Sequence, residues 1–366
     1  MTKTLAAVDV GARIVKWYSC ILARSVDEAV LMKEEIKQSL KIMEPDDKIL
    51  AYYSLVEYRF NMMYYQTTDA EKGNEMIQDV TPTVNESLDH MLRYLYYLVS
   101  GQHEYMHGKY RSAIRLLRKA ERLLEYVNDD AEEAEFQYYM GISLMYLGHY
   151  AYACSYLEES MLTFKRLGYT ERVLNSANVL GGIYSVTRNY DLAGEILNDS
   201  LFHANNYPLS RVLITYSLGN NAYHQKDYDG ARDYYGKIIN ENLFEENAVT
   251  IRAQYGLSKA LFRLGENNEA IRNLLNALNK ANLYKHQELI IKCNLLLKLF
   301  VKKEYQTLSS EIDHLEILNL NHDVETLSEE LSHYFNDKGK KDMAFSFMYR
   351  AYEAKHKVLS IGVGQD

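Results

Sequence analysis

Proline is nearly absent: three in 366 residues. Proline removes a backbone donor and breaks helix interiors, so its scarcity fits a chain that is helical for most of its length. No run of roughly 18 apolar residues occurs, which excludes a membrane-spanning helix of the usual kind. The opening MTKTLAAVDVGARIVKWYSC has too brief an apolar stretch for a signal peptide and no small-residue cleavage pattern after it. Cysteine is sparse too. Cys20, Cys154 and Cys293 are far apart and without CxxC spacing, so neither a disulfide framework nor a thiolate zinc site is expected. They read as reduced thiols of a soluble, cytoplasmic protein with no membrane partner. There is no broad basic tract, the formal net charge is -9 and the pI is about 5.7, so direct nucleic-acid binding is not expected. No glycine-rich phosphate loop follows a strand. His103, His107, His149, His224 and His286 are scattered, and the His103/His107 pair lacks the glutamate of an HExxH motif. No cofactor bound by this chain is expected.

What is present is a repeat. The phrase GKYRSA (Gly108 to Ala113) recurs as GHYAYA (Gly148 to Ala153), RNYDLA (Arg188 to Ala193), KDYDGA (Lys226 to Ala231) and GENNEA (Gly265 to Ala270). A degenerate KKEYQTL (Lys302 to Leu308) and a further GKKDMA ending at Ala344 follow. A period of 38 to 40 residues belongs to a helical solenoid, in which stacked hairpins share one continuous core. Expected first helices of these hairpins include Glu132 to Leu147, Glu171 to Val186, Pro208 to His224 and Asn247 to Leu264. The closing alanine marks close helix contact, where a larger side chain overpacks. Tyrosine is abundant, 33 residues; its apolar ring and polar tip suit helix packing with one end in water, and it is also common at recognition surfaces.

The first 66 residues lack the phrase. Val10, Ile14, Trp17, Tyr18 and Ile21 have helical spacing, as do Ala29, Met32, Ile36 and Leu40 after a helix start near Ser25. Pro45 ends the second helix, and Asp46 or Asp47 can cap a third, aromatic helix over about 48 to 66. A three-helix bundle is expected over 1–66, with Trp17 as its anchor. A polar linker or irregular helix-containing connection is expected over 67–85, about seven repeats over 86–358, and a frayed tail over 359–366.

The spacing resembles tetratricopeptide repeats, lengthened from about 34 residues. Together with the bundle, it resembles more closely the Rap family, the response-regulator aspartate phosphatases of bacilli and their non-phosphatase relatives. The residues that carry the likeness are Val15-Lys16-Trp17-Tyr18, Lys33-Glu34-Glu35-Ile36-Lys37-Gln38, Met43-Glu44-Pro45-Asp46-Asp47 and Tyr52-Tyr53-Ser54-Leu55-Val56-Glu57-Tyr58-Arg59. Ala131-Glu132-Glu133-Ala134-Glu135-Phe136 extends it into the repeats. The resemblance implies an all-α fold, an N-terminal three-helix bundle followed by a right-handed tetratricopeptide-repeat superhelix. It implies a monomer or homodimer that binds a response regulator through the bundle and inhibits its output, controlled by a short Phr-like peptide on the repeats. The alternatives are a phosphatase acting on that regulator's aspartyl phosphate and a non-catalytic repeat adaptor. Any Mg²⁺ required belongs to the partner response regulator.

The resemblance also places the sites. Phosphatase members carry a glutamine at the position of Asp47, within a Met-Glu-Glu-Asp-Gln motif. A glutamine amide orients an attacking water without adding charge, whereas a carboxylate beside an aspartyl phosphate adds repulsion. Pro45 replaces the second glutamate of that motif. Asp47 therefore reads either as a compensating general base or as a simple cap. Glu44, Asp46, Asp47, Tyr52, Leu55, Tyr58 and Arg59 are the expected partner-binding residues, although Tyr52 and Leu55 equally fit the bundle core. For the peptide, Asn178, Asn220 and Asn221 offer amides that grip an extended backbone, with Tyr216, Ser217, Arg252 and Tyr255 in the same layers; the asparagines equally fit solvent-facing or local capping positions. Ser217 stands where the family has a peptide-anchoring asparagine, and Val186 where it has an aspartate.

Overall fold

Among the described residues every regular element is a helix, and the single extended contact is an isolated parallel bridge between Leu5 and Met43. The computed structural model describes residues 4–64, 70–87, 89–241, 247–318 and 320–360. The all-α class expected from the repeat is the class observed. The tail lies outside the described residues from 361 onward, as do 67–69 of the connection. No helix among the described residues is long and apolar enough to cross a membrane. The chain divides into two compact units, Met1–Ser176 and Ala177–Asp366.

The first unit opens with α1 (Ala7–Leu22), α2 (Val26–Leu40) and α3 (Asp47–Tyr64). Val10, Ile14, Trp17 and Ile21 line the inner stripe of α1 and are buried with Ala29 and Ile36 of α2 and Leu55 and Phe60 of α3. Trp17 fills the centre, its ring 5.8 Å from Tyr53 and 5.6 Å from Phe60. Residues 70–86 form a further helix, α4 (Ala70–Glu86), that tolerates Pro82 within it. Its buried Val80 and Val84, one turn apart, belong to the same core as the bundle. That core continues into Leu92, Leu95 and Val99 of α5 (His90–Met106). The hairpins then run as α5 with α6 (Tyr110–Glu121) and, after the short α7 (Leu124–Val127), α8 (Asp130–Tyr146) with α9 (Tyr150–Leu167).

The boundary between the units falls inside α10 (Thr170–Val186), which pairs with α11 (Tyr190–His203). The second unit continues with α12 (Pro208–His224) and α13 (Tyr228–Glu241), then α14 (Ala248–Leu264) and α15 (Asn267–Leu283). Next come α16 (Gln287–Leu296) and α17 (Leu308–Ile317), and last α18 (Asn321–Asp337) and α19 (Lys341–Ser360). The expected first helices at Glu171, Pro208 and Asn247 each begin within a residue of these bounds, and that at Glu132 within two.

The repeated phrase has a backbone cause. Each hairpin turn carries a residue in the left-handed region: Gly108, Gly148, Arg188, Lys226, Gly265, Lys303 and Gly339. It ends the first helix in a Schellman-type wrap, as where the His149 N–H donates to Leu144 O at 3.0 Å and the Asn189 N–H to Tyr184 O at 2.8 Å. The sixth phrase is degenerate because its first helix ends in a wide π-type turn, Leu297–Lys302, so the wrap from Glu304 N–H reaches back to Lys298 O. The closing alanines Ala113, Ala153, Ala193, Ala231 and Ala270 are fully buried. Four residues past the first four of these alanines, a large side chain presses against a glycine of the paired helix. A Cβ built on Gly141 falls 2.7 Å from Leu157 Cγ, and one on Gly181 falls 2.5 Å from Leu197 Cγ.

Candidate functional site

The turn between α2 and α3 is held from both sides. Leu5 N–H donates to Ile42 O at 2.8 Å and Glu44 N–H to Leu5 O at 3.0 Å, while the Met43 side chain is buried. Asp46 is the cap: its Oδ1 accepts from the Ile49 N–H at 3.0 Å. Asp47 is thereby left exposed on the first turn of α3, and Glu44 is exposed beside it. Two apolar side chains flank this acidic turn on the surface, Ile42 at 42% and Leu50 at 43% exposure. Both are anomalous next to charged neighbours and readable only once the backbone is known.

One turn along α3, half-buried Tyr52 donates to Asp89 Oδ1 at 2.9 Å. The same oxygen caps α5 by accepting from the Leu92 N–H at 2.9 Å, and Lys48 is ion-paired with the carboxylate. Burial pulls the Asp89 carboxyl up, but hydrogen bonds from Lys48, the Leu92 N–H and Tyr52 together hold it below its ordinary value. Burial, then the Asp89 charge, push the Tyr52 phenol well above its ordinary value.

Tyr58 meets His103 Nδ1, and His103 Nε2 lies 3.1 Å from Asn74 Oδ1. Burial, and then His107, lower the pKa of His103. The neutral ring fits this setting, with Nδ1 accepting from Tyr58 and Nε2–H donating to Asn74. Among the described residues no three His, Cys, Asp or Glu side chains converge on a metal position.

Leu55 and Arg59, read from sequence as partner-facing, are both fully buried. Arg59 lies 2.6 Å from Glu135 Oε1 and donates to the Tyr18 hydroxyl, which in turn donates to Glu132 Oε2 at 3.0 Å. Arg172 pairs with the other Glu135 oxygen, and the Tyr94 hydroxyl donates to the Glu132 carbonyl at 2.9 Å. One cluster thus joins α1, α3, α5, α8 and the start of α10. Burial would raise Glu135, but Arg172 and Arg59 hold it below its ordinary value. Glu132 goes the other way: burial, with Asp129 and Glu135 nearby, lifts it to about 8 despite Arg59. The sequence reading missed this cluster. Its trace is the pair Glu132 and Glu135, one turn apart among Ala131, Ala134 and Phe136, where two acids share a face with core residues.

The residues expected to hold a peptide lie in the second unit. Asn220 Oδ1 accepts from the Tyr235 hydroxyl at 2.7 Å, and Tyr216 packs with its ring 5.8 Å from that of Tyr235. Asn221 is buried and donates through Nδ2 to Tyr190 O at 3.1 Å. Half-buried Asn178 and buried Tyr255 each keep a buried oxygen with no hydrogen-bond partner, the Asn178 Oδ1 and the Tyr255 hydroxyl. Ser217 is half-buried on α12 between them in sequence, and Val186 is exposed at the end of α10. Arg252 begins a chain of charges, 3.1 Å from Glu288, which is 2.6 Å from Lys292, itself 2.7 Å from Asp323. Burial would raise Glu288, yet Lys292 and Arg252 hold it down at about 2. These ion pairs connect α14, α16 and α18.

Residues 4–65 match the family model described as response regulator aspartate phosphatase H, N terminal. Response regulator aspartate phosphatase A of Bacillus subtilis is 25% identical over 98% of this chain and 97% of its own length. A protein of Rhodococcus hoagii named Type II methyltransferase M.CeqI is 30% identical over all of this chain and 71% of its own length. The fold matches that of a Rap protein crystallised with competence and sporulation factor, with a TM-score of 0.88 at 22% identity, over 97% of this chain and 99% of that one. With its bundle, its α2–α3 turn and its left-handed hairpin ends, this chain belongs to the Rap family of tetratricopeptide-repeat regulators.

Proposed function

We propose that this protein binds a response regulator in the cytoplasm through the α2–α3 turn and the exposed face of the bundle, and restrains its output without removing its phosphate. The observation that carries this reading is Asp47, exposed on the first turn of α3 where phosphatase members of the family have glutamine. The turn keeps features a docking surface needs: acidic Glu44 and Asp47 for orientation, and apolar Ile42 and Leu50 for burial. It lacks the neutral amide that would position water, and the added carboxylate repels an aspartyl phosphate. Phosphoryl chemistry, where it occurs, belongs to the regulator's own Mg²⁺ site.

A short peptide is the proposed control ligand. Asn178 Oδ1 and the Tyr255 hydroxyl support this, since a buried polar oxygen without a partner is costly unless something fills its valence. Ser217 and Val186 stand at the two family peptide positions that differ here, so the cognate peptide differs in sequence from those of relatives.

Methyl transfer is not carried over from the Rhodococcus relative. What this chain shares with that protein is a stretch that folds here as helices throughout the described residues, and 29% of that protein has no counterpart in this chain.

The test is titration of the chain against purified response regulators of its host. Wild type forms a complex with one of them, and Leu50→Asp weakens it at least tenfold with unchanged thermal stability. A complex indifferent to Leu50→Asp and to Asp47→Lys would place the partner elsewhere.

A further inference from the structure

The second helices of the hairpins differ in charge. α11 carries Asp191, Glu195 and Asp199 and neither lysine nor arginine, and α17 likewise carries Glu311, Asp313 and Glu316. The exception is α6. From Lys109 to Arg122 the chain places six lysines and arginines against one acid, Glu121, in a protein whose formal net charge is -9. Arg111, Arg115, Arg118 and Arg122 follow one another at steps of four, three and four, which puts them on one face of the helix. At the helical rise the stripe is about 17 Å long.

The fold does not consume this charge. Glu121 takes Arg118 at 2.7 Å and accepts from the Tyr156 hydroxyl at 3.0 Å. Arg115, Lys119 and Arg122 are exposed and have no ion pair among the described residues. The Lys119 Nζ sits 5.3 Å from the centre of the Tyr97 ring on α5. Like charges four residues apart weaken a helix, so folding alone does not ask for this arrangement. The stripe also ends where the acidic turn lies. Tyr126, just past α6, stacks on His90 at the start of α5 with ring centres 4.2 Å apart. Asp89, next to His90, is held by Lys48 and Tyr52 of α3. Arg122 is therefore at the same end of the first unit as Asp47, and a partner seated on the α2–α3 turn has the stripe beside it.

We propose that the α6 stripe is a second contact for the regulator and receives that protein's anionic face. The inference rests on the regulator reading above. A response regulator gathers carboxylates around its phosphorylated aspartate to hold Mg²⁺, and such a surface is the electrostatic complement of exposed arginines. The composition selects a protein over other polyanions. Arginine and tyrosine, here Arg115, Arg118 and Arg122 with Tyr97 and Tyr126, are the side chains that dominate protein interfaces. A membrane surface needs exposed apolar side chains along the same helix, whereas Ile114 and Leu116 are half-buried. A nucleic acid meets the repulsion of the acidic chain as a whole.

The experiment titrates the full chain against the purified response regulators of its host at low and at high salt, with thermal melts alongside. Arg115→Glu combined with Lys119→Glu weakens the complex about tenfold or more at low salt and removes most of its salt dependence. The melt is unchanged, since both side chains are exposed. Arg115→Gln with Lys119→Gln loses part of that affinity without adding an acid. Arg272→Glu with Lys302→Glu makes the same change in net charge on exposed residues of the second unit and leaves affinity within about twofold. A complex indifferent to both stripe variants overturns the proposal and leaves the regulator reading standing, as does an equal loss in the second-unit control. No complex with any regulator ends both. Phosphatidylglycerol vesicles and a DNA duplex are titrated in parallel. Stripe-dependent binding to either, beside a regulator complex indifferent to the stripe, overturns the regulator as the occupant of α6.

Discussion

Arg59 of α3 and Glu135 of α8 form an ion pair at 2.6 Å from which both side chains are wholly shut off from solvent. Two charges taken out of water are tolerable only when each is matched. Glu135 is matched twice, by Arg59 and Arg172, and Arg59 is also anchored by Tyr18. The helix that carries the exposed Asp47 is thus pinned from behind to the repeats of the first unit.

Glu135→Gln leaves two buried guanidinium groups facing a neutral amide. Breaking a buried pair from one side costs about 3–5 kcal/mol, so this variant should lose stability on that scale in urea denaturation. Lys16→Gln serves as the control: its ion pair with Glu28, 3.8 Å apart, is on the surface, and its loss should cost less than about 1 kcal/mol.

Two buried groups give opposite pH trends. Glu132 has a folded value of about 8 against an ordinary 4.5. The folded chain therefore holds a proton that the unfolded chain releases, and this group's contribution is complete below 4.5 and lost as pH rises toward 8. Glu132→Gln mimics the protonated form and keeps an acceptor for Tyr18. It should match wild type near pH 5 and exceed it in stability near pH 8. His103 is depressed instead, so its contribution is present above its ordinary value of 6.5 and lost as pH falls below it. His103→Gln should flatten the acid side of the same curve. Denaturation midpoints measured across this range read both.

The glycines separate two causes of the same preference. Gly148 has φ of 74° and nothing within 4 Å of a built Cβ, so Gly148→Ala should cost about 1–2 kcal/mol through backbone strain alone. Gly141→Ala drives a methyl into Leu157 and should cost about 1–3 kcal/mol through overpacking. In a Leu157→Ala background, itself destabilised by the loss of a buried leucine, Gly141→Ala should cost less than it does in wild type, while Gly148→Ala should cost the same in both.

Asn178 Oδ1 makes no hydrogen bond in the free protein. Asn178→Ala should therefore leave the melting temperature within about a degree of wild type while weakening a cognate peptide by about 1.5 kcal/mol, the worth of one buried hydrogen bond. Calorimetric titration of the two proteins with that peptide checks it.

The hairpins were legible because each phrase encodes a local requirement: a residue that accepts the left-handed conformation, then an alanine where helices touch. Arg188 and Lys226 adopt that conformation without being glycine, and the phrase still marked their turns through the alanine five residues on. The α4 helix was less legible, since Gly73 and Pro82 are both helix breakers by propensity and only Val80 and Val84 betray its buried side. The Arg59 cluster was illegible for a different reason. Its members come from five helices, and an arginine on an aromatic helix has the same local signature whether it meets a partner or a buried glutamate. The acidic turn was recognised by its motif, but which aspartate caps and which is free depended on a single bond to the Ile49 N–H.

The central claim is binding without dephosphorylation, and the lifetime of phosphate on the partner tests it most directly. Phosphorylated response regulators of the host are followed alone and with this protein, with complex formation recorded in the same samples. The account predicts a stable complex with one regulator whose aspartyl phosphate decays at its unassisted rate. Accelerated loss of phosphate in that complex would contradict it and make Asp47 a participant in hydrolysis.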